Sequence, residues 1–129
     1  MLRLSEIMRR EPIEVAPEDT LGEVAERMSE ANVGAVVVKD YGRLIGILTE
    51  RDMLKAMAAR VHTSEARVRQ WMTEDPITAG VDTGLEEAAR IMLDNGFRHL
   101  PIVDENGRVA GIASLRRVVA ATQAAADRA

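Results

Sequence analysis

The sequence predicts an α+β fold, a mixed α/β architecture in which two copies of a β-α-β-β-α unit pack by a pseudo-twofold into one globular module. Three observations carry this. The chain matches itself when shifted by 64 positions, laying Met8 on Met72, Pro12 on Pro76, Leu21 on Leu85, Ala25 on Ala89, Met28 on Met92 and Asp40 on Asp104. Past that point the shift becomes 65, so that Gly42 meets Gly107, Gly46 meets Gly111 and Arg51 meets Arg116. The added residue falls where "KDYGR" becomes "VDENGR", in a turn, where a fold tolerates insertion. Finally, each copy changes from helical to strand periodicity at the same place. At 129 residues, one such unit is too small to bury its sheet well, and two would share a core. That core is aliphatic, because Tyr41, Trp71 and Phe97 are the only aromatic residues.

The elements follow in order. "LSEIM" and "VRQWM" each form a short helical turn leading to a proline and a short strand, Pro12–Val15 or Pro76–Ala79. An amphipathic helix comes next: Leu21, Val24, Ala25 and Met28 keep the i, i+3, i+4, i+7 spacing, as do Leu85, Ala88, Ala89 and Met92. Thr20 with Glu23, and Thr83 with Glu86, fit the capping box that opens a helix. Two β-branched hairpins then turn at Asp40–Gly42 and Asp104–Gly107, and a last helix starts near Thr49 or Ser114. The strand–helix–strand step implies a right-handed parallel crossover and the hairpin an antiparallel pair, so each sheet is mixed. The boundaries read as residues 1–60 and 61–129, joined by an ordered connector in which Ser64 caps a short helix. Met8, Met28, Met53, Met57, Met72 and Met92 mostly sit on apolar helix faces, as core filling. The Ala-rich tail "AATQAAADRA" extends the last helix.

Composition narrows the function. The formal net charge is −4 and aromatic stacking residues are missing, which counts against nucleic acid as a partner. There is no cysteine, and two distant histidines lack ligand spacing, so no metal site is expected. No apolar run has the length of a membrane span, and the charged start "MLRLSEIMRR" does not read as a signal peptide; a cytoplasmic protein is expected. No nucleophile–base pair or P-loop is present, so no enzyme and no catalytic residue is expected.

The repeated phrases "NVGAVVVKDYGRLIGILTERDM" and "FRHLPIVDENGRVAGIASLRR" follow "IMRREPIEVAPEDTLGEVAERM" and "WMTEDPITAGVDTGLEEAARIM". Together they resemble a tandem CBS domain pair, or Bateman module, from about Leu4 to Ala121. The resemblance implies a stand-alone regulatory sensor without a required cofactor. Its ligand would be AMP, ADP, ATP or S-adenosylmethionine, held in a cleft between the two repeats, and a conformational change would signal to a partner protein. It also implies a homodimer through helical faces. The alternative is a structural or dimerisation module with an empty cleft.

The family's nucleotide phrase, G-x-x-T/S-x-x-D/N, is met by Gly46, Thr49 and Asp52. The second copy keeps Gly111 and Ser114 but has Arg117 at the acidic position. A carboxylate can accept both hydroxyls of a ribose, and a helix N-terminus suits phosphate. Asp52 is therefore a ribose candidate, with Thr49 and Arg51 beside it; equally, Thr49 and Asp52 at this spacing can do no more than cap a helix. By resemblance, adenine would meet Ile13–Glu14 and Gly34, Ala35 and Val36, whose small side chains leave room. Arg98 and His99, before the second hairpin, are phosphate candidates by the same resemblance; for His99 the competing role is a structural hydrogen bond. Ser114, Arg116 and Arg117 open the last helix, where a cation opposes the helix dipole unless it meets a phosphate or a carboxylate, or simply points to solvent.

Overall fold

The structure is a computed structural model, and residues 1–128 are described. Its elements run α1 (Leu4–Ile7), β1 (Arg9–Arg10), β2 (Glu14–Val15), α2 (Leu21–Ala31), β3 (Ala35–Asp40), β4 (Arg43–Thr49) and α3 (Glu50–Ala58). The second half repeats them as α4 (Val68–Trp71), β5 (Thr73–Glu74), β6 (Ala79–Gly80), α5 (Leu85–Asn95), β7 (His99–Val103), β8 (Val109–Ser114) and α6 (Leu115–Arg128). Each half has the expected elements plus one short strand, β1 or β5, that polar "RR" and "TE" gave no pattern to reveal.

The compact units are offset from the sequence halves. One consists of Ile13–Pro76; the other joins Met1–Pro12 to the chain from Ile77 onward. In the first unit the sheet order is β2-β3-β4-β5, and in the second β1-β8-β7-β6. Each is mixed as expected: β2 is parallel to β3, β6 to β7, and the remaining pairs are antiparallel. One edge strand of each sheet, β5 or β1, therefore comes from the opposite half of the sequence.

Buried apolar residues form two clusters instead of the shared core expected. Val15, Leu21, Val24, Met28, Val36, Val38 and Leu48 pack with Val68 in the first unit. Leu85, Ala88, Met92, Leu100, Ile102 and Val118 pack with Leu4 and Met8 in the second. Each unit escapes its size limit by taking one extra helical turn and one extra strand from the other repeat.

The two hairpins show how the inserted residue is absorbed. In the first, Tyr41 and Gly42 both have positive φ, at 51° and 78°, giving a two-residue loop whose twist matches the strands. In the second, Gly107 NH bonds to Asp104 O at 2.9 Å with φ 78° at Gly107, and the Asp104 carboxylate accepts from Asn106 NH and Arg108 NH. The longer turn is held by its own aspartate.

Helix starts differ between copies. The Thr20–Glu23 capping box forms as expected, with Glu23 NH on Thr20 Oγ1 and Thr20 NH on Glu23 Oε1. The Thr83–Glu86 box does not. The helix starts one residue later, so Gly84 stands where Thr20 stands and caps without a side chain. The chain at Leu2 takes over: Leu85 NH bonds to Leu2 O and Leu4 NH to Thr83 O. A Cβ on Gly84 would come within 3.3 Å of Met1 Sδ, so the small residue fits under that segment. Ser64 likewise caps no helix: His62–Ala66 is a single turn, and α4 begins after Arg67, whose NH bonds to Gln70 Oε1. The alanine-rich tail does continue α6, to Arg128.

Candidate functional site

The end of β4 runs directly into α3, and this junction places Thr49 and Asp52. Thr49 has extended backbone, φ −119° and ψ 169°, so its side chain turns back over the helix start. Its hydroxyl accepts Asp52 NH at 3.3 Å. Asp52 Oδ2 in turn accepts Thr49 NH at 2.9 Å and Thr49 Oγ1 at 3.1 Å. The capping arrangement is thus fully formed. A further donor, Thr73 Oγ1, reaches Asp52 Oδ1 at 3.4 Å. Asp52 is the one buried charged residue, 7% exposed, among the described residues. A buried carboxylate must be hydrogen-bonded, and these donors meet that need.

Gly46 lies under the neighbouring strand. A Cβ there would lie 2.9 Å from Thr73 O and 2.8 Å from Met72 Sδ. Gly46 pairs with Glu74, so the strand pressing on it is β5. Gly111 repeats this: a Cβ would lie 2.7 Å from Arg9 O and 2.8 Å from Met8 Sδ. The glycine of the phrase admits the borrowed strand.

The unit Ile13–Pro76 also holds the other expected residues of the first copy. Ile13 is half-buried and its carbonyl accepts Val37 NH at 3.0 Å. Glu14 is exposed and pairs with Lys39 Nζ at 2.7 Å. Gly34 O accepts Glu50 NH, the first residue of α3, at 3.0 Å. Ala35 lies opposite Thr49 and Val36 opposite Leu48 in the β3–β4 ladder, and Val36 belongs to the buried cluster. Arg51 is exposed in the first turn of α3.

The other unit holds Arg98, His99, Ser114, Arg116 and Arg117. Arg98 O accepts Leu115 NH at 2.8 Å, which sets Arg98 at the start of α6. His99 opens β7 opposite Ser114 and is half-buried. Ser114 Oγ accepts Arg117 NH at 3.1 Å, a half-cap without the reciprocal bond. Arg117 Nη1 donates to Ile7 O at 3.3 Å, so it ties α6 to the borrowed turn. Arg116 is exposed.

Thr73 was missed in the sequence. It lies 21 positions from Asp52, in a two-residue polar strand, and only the close approach at Gly46 signals it. Among the described residues, no group of three or more His, Cys, Asp or Glu could hold a metal ion, and no helix is long and apolar enough to cross a membrane.

The CBS domain pattern matches twice, at residues 4–59 and 68–123. The chain belongs to the CBS domain family. This CBS pair is 42% identical over 115 residues to an uncharacterized 17.7 kDa protein of Acidianus ambivalens, covering 88% of this chain and 69% of that one. It is 36% identical over 118 residues to the Methanopyrus kandleri protein MK0525, spanning 60% of that protein's length. Among solved structures, CBSX2 in complex with AMP superposes with a TM-score of 0.80 at 26% identity, over 96% of this chain and 98% of that one. The CBS domain pair of MJ0100, in complex with 5′-methylthioadenosine and S-adenosyl-L-methionine, superposes with a TM-score of 0.86 at 25% identity, over 96% and 98%.

Proposed function

We propose that this CBS pair is a non-catalytic regulatory sensor for an adenosine-containing ligand: AMP, ADP, ATP or S-adenosylmethionine. Asp52 accepts the ribose hydroxyls, and the N-terminus of α3 lies beside it. Two related pairs support the ligand class, because AMP, 5′-methylthioadenosine and S-adenosylmethionine share adenine and a ribose diol. The observation that carries the reading is the state of the Asp52 carboxylate. Oδ2 is filled by Thr49, while among the described residues Oδ1 takes one long contact, from Thr73, so acceptor capacity is left over on a buried charge. Output is by differential binding: the ligand stabilises one arrangement of the protein, and a partner reads it. Leu54 and Met57 on α3 and Val119 on α6 are 65%, 71% and 55% exposed, which supports pairing of two copies through helical faces.

The second reading is a scaffold that takes no ligand. It is favoured by the same cap, which is complete without one. Calorimetry with AMP and with S-adenosylmethionine separates the two. Asp52→Asn is expected to weaken binding at least about tenfold, the worth of one charge-assisted hydrogen bond. Absence of binding by the folded wild-type protein would overturn the sensor and leave the scaffold, whereas equal affinities in the two proteins, with circular dichroism showing both folded, would overturn the role of Asp52.

A further inference from the structure

Resting on the reading that Asp52 meets a ribose diol, we propose that Thr73 is a positioning residue that gives up its place on Asp52 Oδ1 to a ligand hydroxyl. A carboxylate has about four acceptor positions. Three are in use: Thr49 NH and Thr49 Oγ1 on Oδ2, and Thr73 Oγ1 on Oδ1. A vicinal diol brings two donors, one more than the carboxylate has room for. One existing donor leaves, and the structure ranks them. The Thr49 bonds are 2.9 and 3.1 Å long and close the start of α3. The Thr73 bond, at 3.4 Å, lies at the outer limit of hydrogen bonding. Thr73 is also exposed, so its hydroxyl passes to water without a burial cost.

Thr73 therefore has two effects. Before the diol arrives, it partners an oxygen on the buried Asp52 carboxylate. When the diol arrives, Thr73 is released. Its strand β5 rests on only two register pairs, Gly46 with Glu74 and Ile47 with Thr73. Directly after it come Asp75, with φ 46°, and Pro76, where the unit ends. Occupancy of Asp52 is thereby linked to the borrowed strand.

The test measures one ratio: the dissociation constant of a monodeoxyadenosine over that of adenosine. A monodeoxy ligand leaves Thr73 in place, so the wild-type ratio is small, because each hydroxyl lost is offset by Thr73 kept. In Thr73→Val the offset is gone. Calorimetry with adenosine, 2′-deoxyadenosine and 3′-deoxyadenosine is expected to show, for at least one deoxy ligand, a ratio about three- to tenfold larger in Thr73→Val than in wild type. Thr73→Ser, which keeps the hydroxyl, restores the wild-type ratio. Asp52→Asn weakens adenosine but an unchanged ratio in Thr73→Val would overturn the exchange while leaving the ribose reading standing. Adenosine binding that is absent, or indifferent to Asp52→Asn, overturns both.

Discussion

The starts of α3 and α6 are the same structure built with opposite charge. In each, a hydroxyl residue caps the helix: Thr49 accepts Asp52 NH at 3.3 Å, and Ser114 accepts Arg117 NH at 3.1 Å. In each, the third helical side chain reaches the segment borrowed from the other repeat. Asp52 does so by accepting from Thr73 Oγ1, and Arg117 by donating to Ile7 O. The aligned positions of the two repeats differ in charge as well: Gly34, Thr73 and Glu74 of the Asp52 unit are matched by Arg98, Arg9 and Arg10 of the Arg117 unit, while Arg51 is matched by Arg116. Among the described residues, none of Arg9, Arg10, Arg98, Arg116 and Arg117 pairs with a carboxylate. Duplication kept the joint between helix and borrowed segment and let its chemistry reverse. An arginine is tolerated against the helix dipole because its guanidinium extends to a carbonyl, whose partial charge suits it. Only the first copy, at Asp52, has a carboxylate at this position.

The borrowed segments offer the largest test of this equivalence. Leu4 and Val68 occupy matching places, are fully buried, and each belongs to the cluster of the unit that borrows it. Leu4→Ala is expected to cost about 2–5 kcal/mol of unfolding free energy, and Val68→Ala less, since fewer methyl groups are lost. Urea unfolding measures both. A cost below about 1 kcal/mol for Leu4→Ala would mean that the first segment is laid on its unit and not built into it.

A smaller effect is expected at the two glycines. Ala at Gly46 or Gly111 would drive a Cβ against backbone oxygens at 2.9 and 2.7 Å. The neighbouring methionine sulfurs can move, but a paired strand cannot move far. Each substitution should cost about 1–3 kcal/mol, with Gly111→Ala the worse. Thermal midpoints compare them. If Gly46→Ala weakened ligand binding without lowering stability, the glycine would serve ligand approach after all.

Much of this was legible in the sequence, and what was not has a physical cause. The repeat, the hairpins and both long helices follow from periodicity, which reports local burial. Periodicity does not say which copy a segment packs against. Leu4 and Val68 present the same apolar face whether they complete their own unit or the other one. The resulting boundaries at 60 and 61 follow the repeat, whereas the compact units change at Pro12 and Pro76. Thr49 and Asp52 were legible because capping chemistry fixes their spacing at three. Thr73 depends on strand pairing, which spacing does not encode. At α5 the sequence offered Thr83 one residue before the cap position that Gly84 and Thr20 share, and the apolar register prevailed over the better capping residue.

That last difference sets up the smallest and most selective prediction. Glu23 and Glu87 occupy the same place in α2 and α5. Thr20 donates to Glu23 from its hydroxyl at 2.8 Å and from its NH at 3.3 Å, and these bonds to the charged form hold the Glu23 carboxyl below its usual range. Since the folded value is depressed, the stabilisation exists above the ordinary glutamate pKa of about 4.3 and is lost as pH falls through the folded value. Gly84 has no hydroxyl with which to repeat the arrangement for Glu87. Glu23→Gln should therefore lower the urea midpoint at neutral pH, and the gap to wild type should close below about pH 4. In a Thr20→Val background, which removes the hydroxyl donor, Glu23→Gln should open a smaller gap at neutral pH. If the gap were the same size in both backgrounds, the capping hydroxyl would not be the source of the effect.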